Sequence, residues 1–464
     1  MRFPRIFFTL LSLFVFCCAG TVLAGRAQTN LTDVAGSVVD EAGLTLAHAT
    51  VVLTNRVSSE VRTTKTDSSG EFTFHLVPQG SYTLEAEWPR YGSIQIELQL
   101  SGTPVNGIKL RVYRPAGARA LPATDVEPNY YKIKVFYATD RSATGRTEPA
   151  NFFGSDRNPN ETLSLGTCEV SIPRDHRPGE LEAPSIWRLE FHEDPAKHVV
   201  LLNVHPEAQS QFYSDLASTV AASPNKEAFV FIHGYKTTFE DAARRTGQLA
   251  YDLNFHGAPI FYSWPSKGDL DGYSADEGSV MWSTPHLMGF LQQVAVQSNV
   301  ETVHLIAHSM GNRALTQALA NLVTPPEGTT RPHFQEVILA APDVDRDIFK
   351  QLAGAVASSA NRVTLYASSH DEALKASKKL HEFPRAGEAG QSLLIVKGID
   401  TIDVSAVDSS LLGHSYFGDN TSVISDIHRL LTQGSPPNQR ACLSAATLLN
   451  SAYWVFVRDA CMVH

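Results

Sequence analysis

Three residues, met in the order Ser309, Asp371 and His414, have the types that nucleophilic acyl transfer requires. A serine hydroxyl is a weak nucleophile alone, so it needs a base to take its proton and an acid to orient that base. Ser309 sits at the centre of Ala307-His308-Ser309-Met310-Gly311. This is a small-x-Ser-x-Gly pentapeptide, with Ala307 at the first small position. A sharp strand-to-helix turn of this kind holds the serine in a strained backbone conformation, its hydroxyl standing off the sheet edge. It also brings the amide of Met310 and a helix N-terminus to the same spot.

The flanks supply the strand and the helix. Val303–Ala307 is a β-prone apolar run, and Asn312–Ala320 carries apolar residues at helical spacing. Further apolar runs lie at Tyr131–Tyr137, Leu163–Ile172, Val199–Val204, Ala228–Ile232, Pro259–Trp264, Val337–Ala341 and Arg362–Ala367. Helical segments separate several of them: a capping-box pattern at Thr237–Glu240 opens one that runs to about Leu253, another spans about Thr284–Ser298, and Val423–Leu431 is the last. Continuous apolar strands between helices indicate an α/β domain with a mostly parallel sheet covered on both faces.

In such a sheet reactive groups gather at the carboxyl ends of the strands. Asp371 follows the strand Arg362–Ala367, and its place late in the sheet makes it the preferred acid. Asp343 and Asp345 follow the preceding strand and are the alternative acids; otherwise they cap the helix that starts near Ile348. His414 lies in a loop after the strand-like Asp400–Val404, where a mobile base is expected. Of the other late histidines, His381 belongs to a cationic helix and is expected to face solvent, His428 lies inside a helix, and His464 is the last residue. His370 adjoins Asp371, and adjacent side chains diverge. The oxyanion site needs two fixed amides, expected from Met310 and from Tyr235 after the strand that ends at Ile232. Phe261, Tyr262 and Trp264 read first as core and second as an acyl pocket, and Arg313 first as a surface charge and second as a carboxylate binder.

The stretches Phe231–Tyr235, Tyr262–Gly268, Ile306–Asn312, Ala340–Asp345 and Leu412–Tyr416 resemble the bacterial α/β-hydrolases of uncharacterised function. The likeness runs over about Tyr130–Leu431 and implies an α/β-hydrolase fold with a serine triad at Ser309, Asp371 and His414. Upstream, Asp33–Arg114 alternates in the manner of a small antiparallel sandwich with Gly-centred turns. Its Asp67–Phe74 and Pro78–Tyr82 elements resemble carboxypeptidase regulatory-like, transthyretin-like modules, which implies a non-catalytic partner domain.

The expected organisation is a signal peptide at 1–27, the β module at 33–114, a Pro- and Ala-rich linker at 115–129, the catalytic domain at 130–432 and a tail at 433–464. In that tail Leu443–Val457 reads as a helix packing back. Arg2 and Arg5 before the apolar run Ile6–Ala19, with small residues up to Ala27, describe a secretory signal, hence export to the periplasm or beyond. Cys17 and Cys18 leave with it. Cys442 and Cys461 can then pair in an oxidising compartment, while Cys168 reads as a buried apolar residue.

A net charge of −10 leaves no general cationic surface for nucleic acid. The dispersed histidines and the cysteine spacing fit no metal site, and the triad needs no cofactor. The sequence thus points to an exported serine hydrolase acting on a small-molecule or lipid-like ester through an acyl-enzyme. An acyltransferase with the same triad and a non-catalytic surface protein are the alternatives. The β module would contact the envelope or a surface partner.

Overall fold

The computed structural model describes residues 31–40, 43, 45–46, 49–58, 60–67, 69–87, 94–112, 129–184, 193–269, 271–297, 300–323, 331–407, 418 and 420–457. The expected signal peptide, nearly all of the expected linker, His414 and Cys461 lie outside these residues.

The N-terminal module contains β1 (Leu31–Val39), β2 (Thr50–Asn55), β3 (Val61–Lys65), β4 (Glu71–Pro78), β5 (Gly80–Glu87), β6 (Ile94–Leu100) and β7 (Val105–Arg111). They form two sheets, ordered β4-β1-β7 and β3-β2-β5-β6. Alternating residues of both sheets, among them Val34, Val51, Phe72, Phe74, Tyr82 and Leu84, share one apolar core. Gly36 is required where β1 meets β7, because a Cβ there would lie 2.3 Å from the carbonyl oxygen of Ile108.

The second region is built on strands β8 (Tyr130–Thr139), β9 (Arg141–Ala143), β10 (Phe153–Arg157), β11 (Ser164–Pro173), β12 (Leu201–Glu207), β13 (Glu227–Ile232), β14 (Ala258–Ser263), β15 (Thr302–His308), β16 (Phe334–Ala340), β17 (Ala360–Ala367), β18 (Asp400–Asp403), β19 (Leu443–Leu448) and β20 (Ser451–Phe456). Eleven of them make one sheet in the order β12-β11-β8-β14-β13-β15-β16-β17-β18-β20-β19. The run from β8 to β18 is parallel throughout, and β11 joins it antiparallel. Every residue of β13 and β14 is buried, the signature of strands covered on both faces.

Among the described residues seven helices accompany the sheet: α1 (Gln209–Ala221), α2 (Phe239–Asp252), α3 (Tyr273–Gln297), α4 (Gly311–Leu322), α5 (Arg346–Ser358), α6 (Glu372–His381) and α7 (Thr421–Gln433). Two apolar cores result. One packs α1, α3, α4 and α5 residues such as Phe212, Phe290, Leu315 and Phe349; the other packs α2 and α7 residues such as Leu249 and Ile427.

Three local expectations are corrected. Helix α2 is capped one residue later than the sequence pattern suggests, with Thr238 and Asp241 forming a reciprocal capping box. Helix α3 begins at Tyr273, well before the expected start near Thr284, and takes Pro285 into its interior. The stretch after residue 440 is not a helix. It is the hairpin β19–β20, turned through Leu449 and Asn450 at φ 49° and 64°, and it extends the sheet beside β18. Weak alternation of small residues, with no charged side chain to mark an outer face, hides that period from the sequence.

His176 ties the segment after β11 to α2. Its ring is buried, with Nδ1 2.8 Å from Glu182 and Nε2 2.8 Å from Asp252. Burial alone would lower its pKa, but the two carboxylates overcome this and raise it to about 9. A folded pKa above the unfolded value of 6.5 means that this stabilisation is complete below pH 6.5 and is lost as pH rises through about 9. Denaturant titrations between pH 6 and 10 should show His176→Gln less stable at pH 6, with the gap to wild type closing toward pH 10.

Candidate active site

The register sets the site. Ile232 pairs with Ala307, His308 with Ala340, Ala340 with Tyr366 and Ala367 with Asp403. The carboxyl ends of β13, β15, β16, β17 and β18 are therefore level, and the residues that follow them leave one edge. Because β14 and β15 flank β13 on opposite sides, the strand order reverses there, which opens the crevice where ligands of such sheets bind.

Ser309 follows β15 at that crevice with φ of +51°, in the left-handed region that a non-glycine residue rarely adopts. The strain is held by backbone contacts. The Ser309 amide donates to Ala340 O at 3.0 Å, and its carbonyl accepts the amide of Asp343 at 3.1 Å. Buried Asn312 directs its side-chain amide at the carbonyls of Ala307, Ser309 and Ala340, at 3.1 to 3.2 Å. No role for Asn312 follows from its type and spacing; its position one residue into α4 was the available signal.

Two glycines let the neighbouring corner approach. A Cβ on Gly234 would lie 2.8 Å from Cβ of Ser309, and one on Gly311 would lie 2.3 Å from the carbonyl oxygen of His233. The turn His233–Thr237 is thus seated directly against the serine corner. Met310 opens α4 without a side-chain cap, and among the described residues no acceptor meets its amide. Tyr235 lies in the facing turn, its ring 5.2 Å from Tyr273.

The acids separate by environment. Asp371 is buried at the start of α6 and accepts the amide of Leu374 at 3.0 Å. Asp345 caps α5 by accepting the amides of Asp347 and Ile348. Asp343 is buried and accepts from Tyr273 and Ser377, each at 2.6 Å, and from Arg313 at 3.1 Å. Burial raises the Asp343 carboxyl, but Arg313, then Ser377, Tyr273 and Arg385, hold it below its usual range. Asp343 is therefore the centre of an ion-pair cluster. His414, the expected base, lies outside the described residues, which stop at Val407 beyond the end of β18.

Several neighbours differ from expectation. Arg313 is neither a free surface charge nor a carboxylate receptor, since it bridges Asp343 and Glu277. His381 does not face solvent; its Nε2 meets Glu277 at 2.7 Å and its Nδ1 the carbonyl of Ser377 at 2.8 Å. Phe261, Tyr262 and Trp264, by contrast, are core as first read, each fully buried. Trp264 stacks on His233 at 4.9 Å and donates its indole N–H to the His233 carbonyl at 2.8 Å. His233 is driven down to about 3, by burial first and Arg141 second, so its ring is neutral and structural. Among the described residues no group of three or more His, Cys, Asp or Glu side chains could hold a metal ion.

Comparison with protein families meets this geometry at residues 208–433, which match the family described as alpha/beta hydrolase of unknown function (DUF900). This region belongs to that hydrolase family. Residues 33–114 match the carboxypeptidase regulatory-like domain, as the sequence motifs imply. No curated protein matches the chain. Among solved structures, a Pseudomonas aeruginosa protein described as a candidate carbohydrate binder is 16% identical over 20% of this chain and 93% of its own, with a TM-score of 0.16. Catechol 1,2-dioxygenase of Acinetobacter radioresistens is 12% identical over 22% of this chain and 57% of its own, with a TM-score of 0.18. The pilus 2b backbone protein of group B streptococcus is 15% identical over 18% and 41%, with a TM-score of 0.16. Scores this low define neither the fold nor the function of the hydrolase domain.

The two-corner contact makes a contrast between glycines. Gly311→Ala should cost about 1–3 kcal/mol, since the obstructing atom is backbone. Gly289→Ala, in the middle of α3 with open space around it, should instead gain up to about 1 kcal/mol. Equilibrium unfolding in urea measures both.

Proposed function

We propose that this hydrolase-family chain is an exported serine hydrolase with an α/β-hydrolase fold, cleaving ester-type bonds through Ser309, His414 and Asp371. The observation that carries the reading is the strained φ of +51° at Ser309 between β15 and α4. A protein gains nothing in stability from that strain, whereas a nucleophile gains a fixed position at the corner between strand and helix, where Ser309 is nearly buried. The strand order supports the reading, because Ser309 follows β15 and Asp371 follows β17, both at the carboxyl ends of parallel strands of one sheet.

In this mechanism His414 takes the proton of the Ser309 hydroxyl as Oγ attacks the carbonyl carbon. Asp371 orients the imidazole and stabilises its charged form. The amides of Met310 and Tyr235 receive the developing oxyanion. Collapse expels the alcohol, which takes the proton from His414, and leaves the acyl group on Ser309. Water, deprotonated by His414, then releases the acid and restores the serine. The substrate is a small-molecule or lipid-like ester, and the N-terminal module serves as a contact to the envelope or a surface partner. Export is supported by Cys442, which is disulfide-bonded, as befits an oxidising compartment.

Fluorophosphonate labelling and p-nitrophenyl ester hydrolysis test the reading. The wild type should label and Ser309→Ala should not; labelling retained in Ser309→Ala would reject the nucleophile. Asp371→Asn should lower kcat by about 10³- to 10⁴-fold while the chain stays folded. Asp343→Asn should act mainly on stability, by roughly 3–5 kcal/mol, because it breaks a buried ion pair. The reverse pattern would move the acid to Asp343.

A further inference from the structure

Arg141 lies in β9, upstream of the residues that match the hydrolase family, and is 1% exposed. Its Nε donates to Ser263 Oγ at 2.8 Å, and its Nη1 to the carbonyls of Gly154 at 3.1 Å and Ser266 at 3.0 Å. Its Nη2 donates to the carbonyl of Thr237 at 2.7 Å and faces Nε2 of His233 at 3.4 Å. All five acceptors are uncharged. A guanidinium buried without a touching carboxylate forgoes the direct ion pair that usually repays its desolvation. Its rigid fork serves shape instead.

The shape it serves is the turn His233-Gly234-Tyr235-Lys236-Thr237. Nη2 holds the first and the last residue of this turn together, with Tyr235 between them. The turn carries stored strain, since Lys236 has φ of +57°. Other bonds complete the frame: Trp264 donates to the carbonyl of His233, and the amide of Thr237 donates to Ser266 Oγ at 3.1 Å. Ser266 and Arg141 are themselves joined through the Ser266 carbonyl.

We propose that Arg141 is the positioning residue of the oxyanion turn, fixing the Tyr235 amide opposite Met310. The inference rests on the serine-hydrolase reading and deepens it. It also extends the catalytic unit upstream of the family match, to the strand pair β9–β10.

The test uses the full-length chain, with kcat expressed per serine titrated by the fluorophosphonate, so that loss of folded protein does not count. In Arg141→Lys, which keeps the charge but not the fork, kcat per titrated serine should fall about 100-fold with KM within threefold. A folded variant with wild-type kcat per titrated serine would overturn the proposal. If Arg141→Lys does not fold, Trp264→Phe decides. It keeps a ring against His233 and removes only the N–H donated to the turn. A roughly tenfold fall in kcat at unchanged KM supports the frame, and an unchanged kcat overturns it. A wild type that neither labels nor hydrolyses any ester would reject the hydrolase reading itself, and the positioning role with it.

Discussion

The structure at the carboxyl edge depends on one close approach, that of the corner after β13 to the corner after β15. Gly234 lies against the Cβ of Ser309 and Gly311 against the carbonyl of His233, with no room for a methyl group at either place. Each corner is strained on its own, at Lys236 and at Ser309. Neither conformation would persist in a free turn, since a left-handed non-glycine residue costs on the order of 1–3 kcal/mol. They persist because each corner removes the space into which the other would relax. Parallel pairing of β13 with β15 sets the spacing, and the small residues make the contact possible.

Around this contact the polar groups fall into two frames with different electrostatics. On the β14 side the turn is held by one guanidinium on uncharged acceptors and by the buried Asp276 carboxylate, which accepts from the Lys236 amide at 3.4 Å and from Ser266 Oγ at 2.6 Å. The guanidinium's pKa is lowered to about 10 by burial against the opposing pull of Asp140, Asp276 and Asp241. On the β16 side the frame is ionic: Asp343, Arg313, Arg385 and Glu277 compensate one another, with the Tyr273 hydroxyl between them. The Arg313 guanidinium also donates from Nε to the carbonyl of Asp343, so the backbone that bonds to Ser309 is gripped from both ends. The serine corner is thus rigid on both flanks. That is the condition under which preorganised donors stabilise developing charge without reorganising.

Much of this was legible in the sequence, for a physical reason. Parallel strands buried on both faces read as continuous apolar runs, so β13, β14, β15, β16 and β17 are found within a few residues of their ends. The β module was legible through its turns, where Asp67 accepts the amides of Ser69 and Glu71 and Gly70 takes φ of +77°. The serine corner was legible because strain demands particular residue types. What stayed hidden depends on partners distant in sequence. Asp343 and Asp371 are alike as aspartates after strands, and only Arg313, Arg385, Ser377 and Tyr273 distinguish them. Trp264 next to two aromatics suits a pocket or a core equally well until His233 is seen stacked on it. Arg141 carries no local signal, since every group its guanidinium bonds outside β10 comes from 90 or more positions away.

The C-terminal segment belongs to the same argument. Without the hairpin β19–β20, strand β18 would be the sheet's edge and the start of the segment leading to His414 would be open on one side. With it, Ile402 and Asp403 pair with Trp454 and Val455, and the carboxyl end of β18 is held by strands on both sides. The connection to the domain body is strong for so short a segment. Arg440 is buried against Asp426 of α7 and the hydroxyl of Tyr366 in β17, and Cys442 next to it is buried and disulfide-bonded. Here β18 is fixed by β17 and β20, and α7 is fixed by the Asp426–Arg440 pair, so residues beyond the family match hold both the strand that ends at Asp403 and the helix that starts at Thr421.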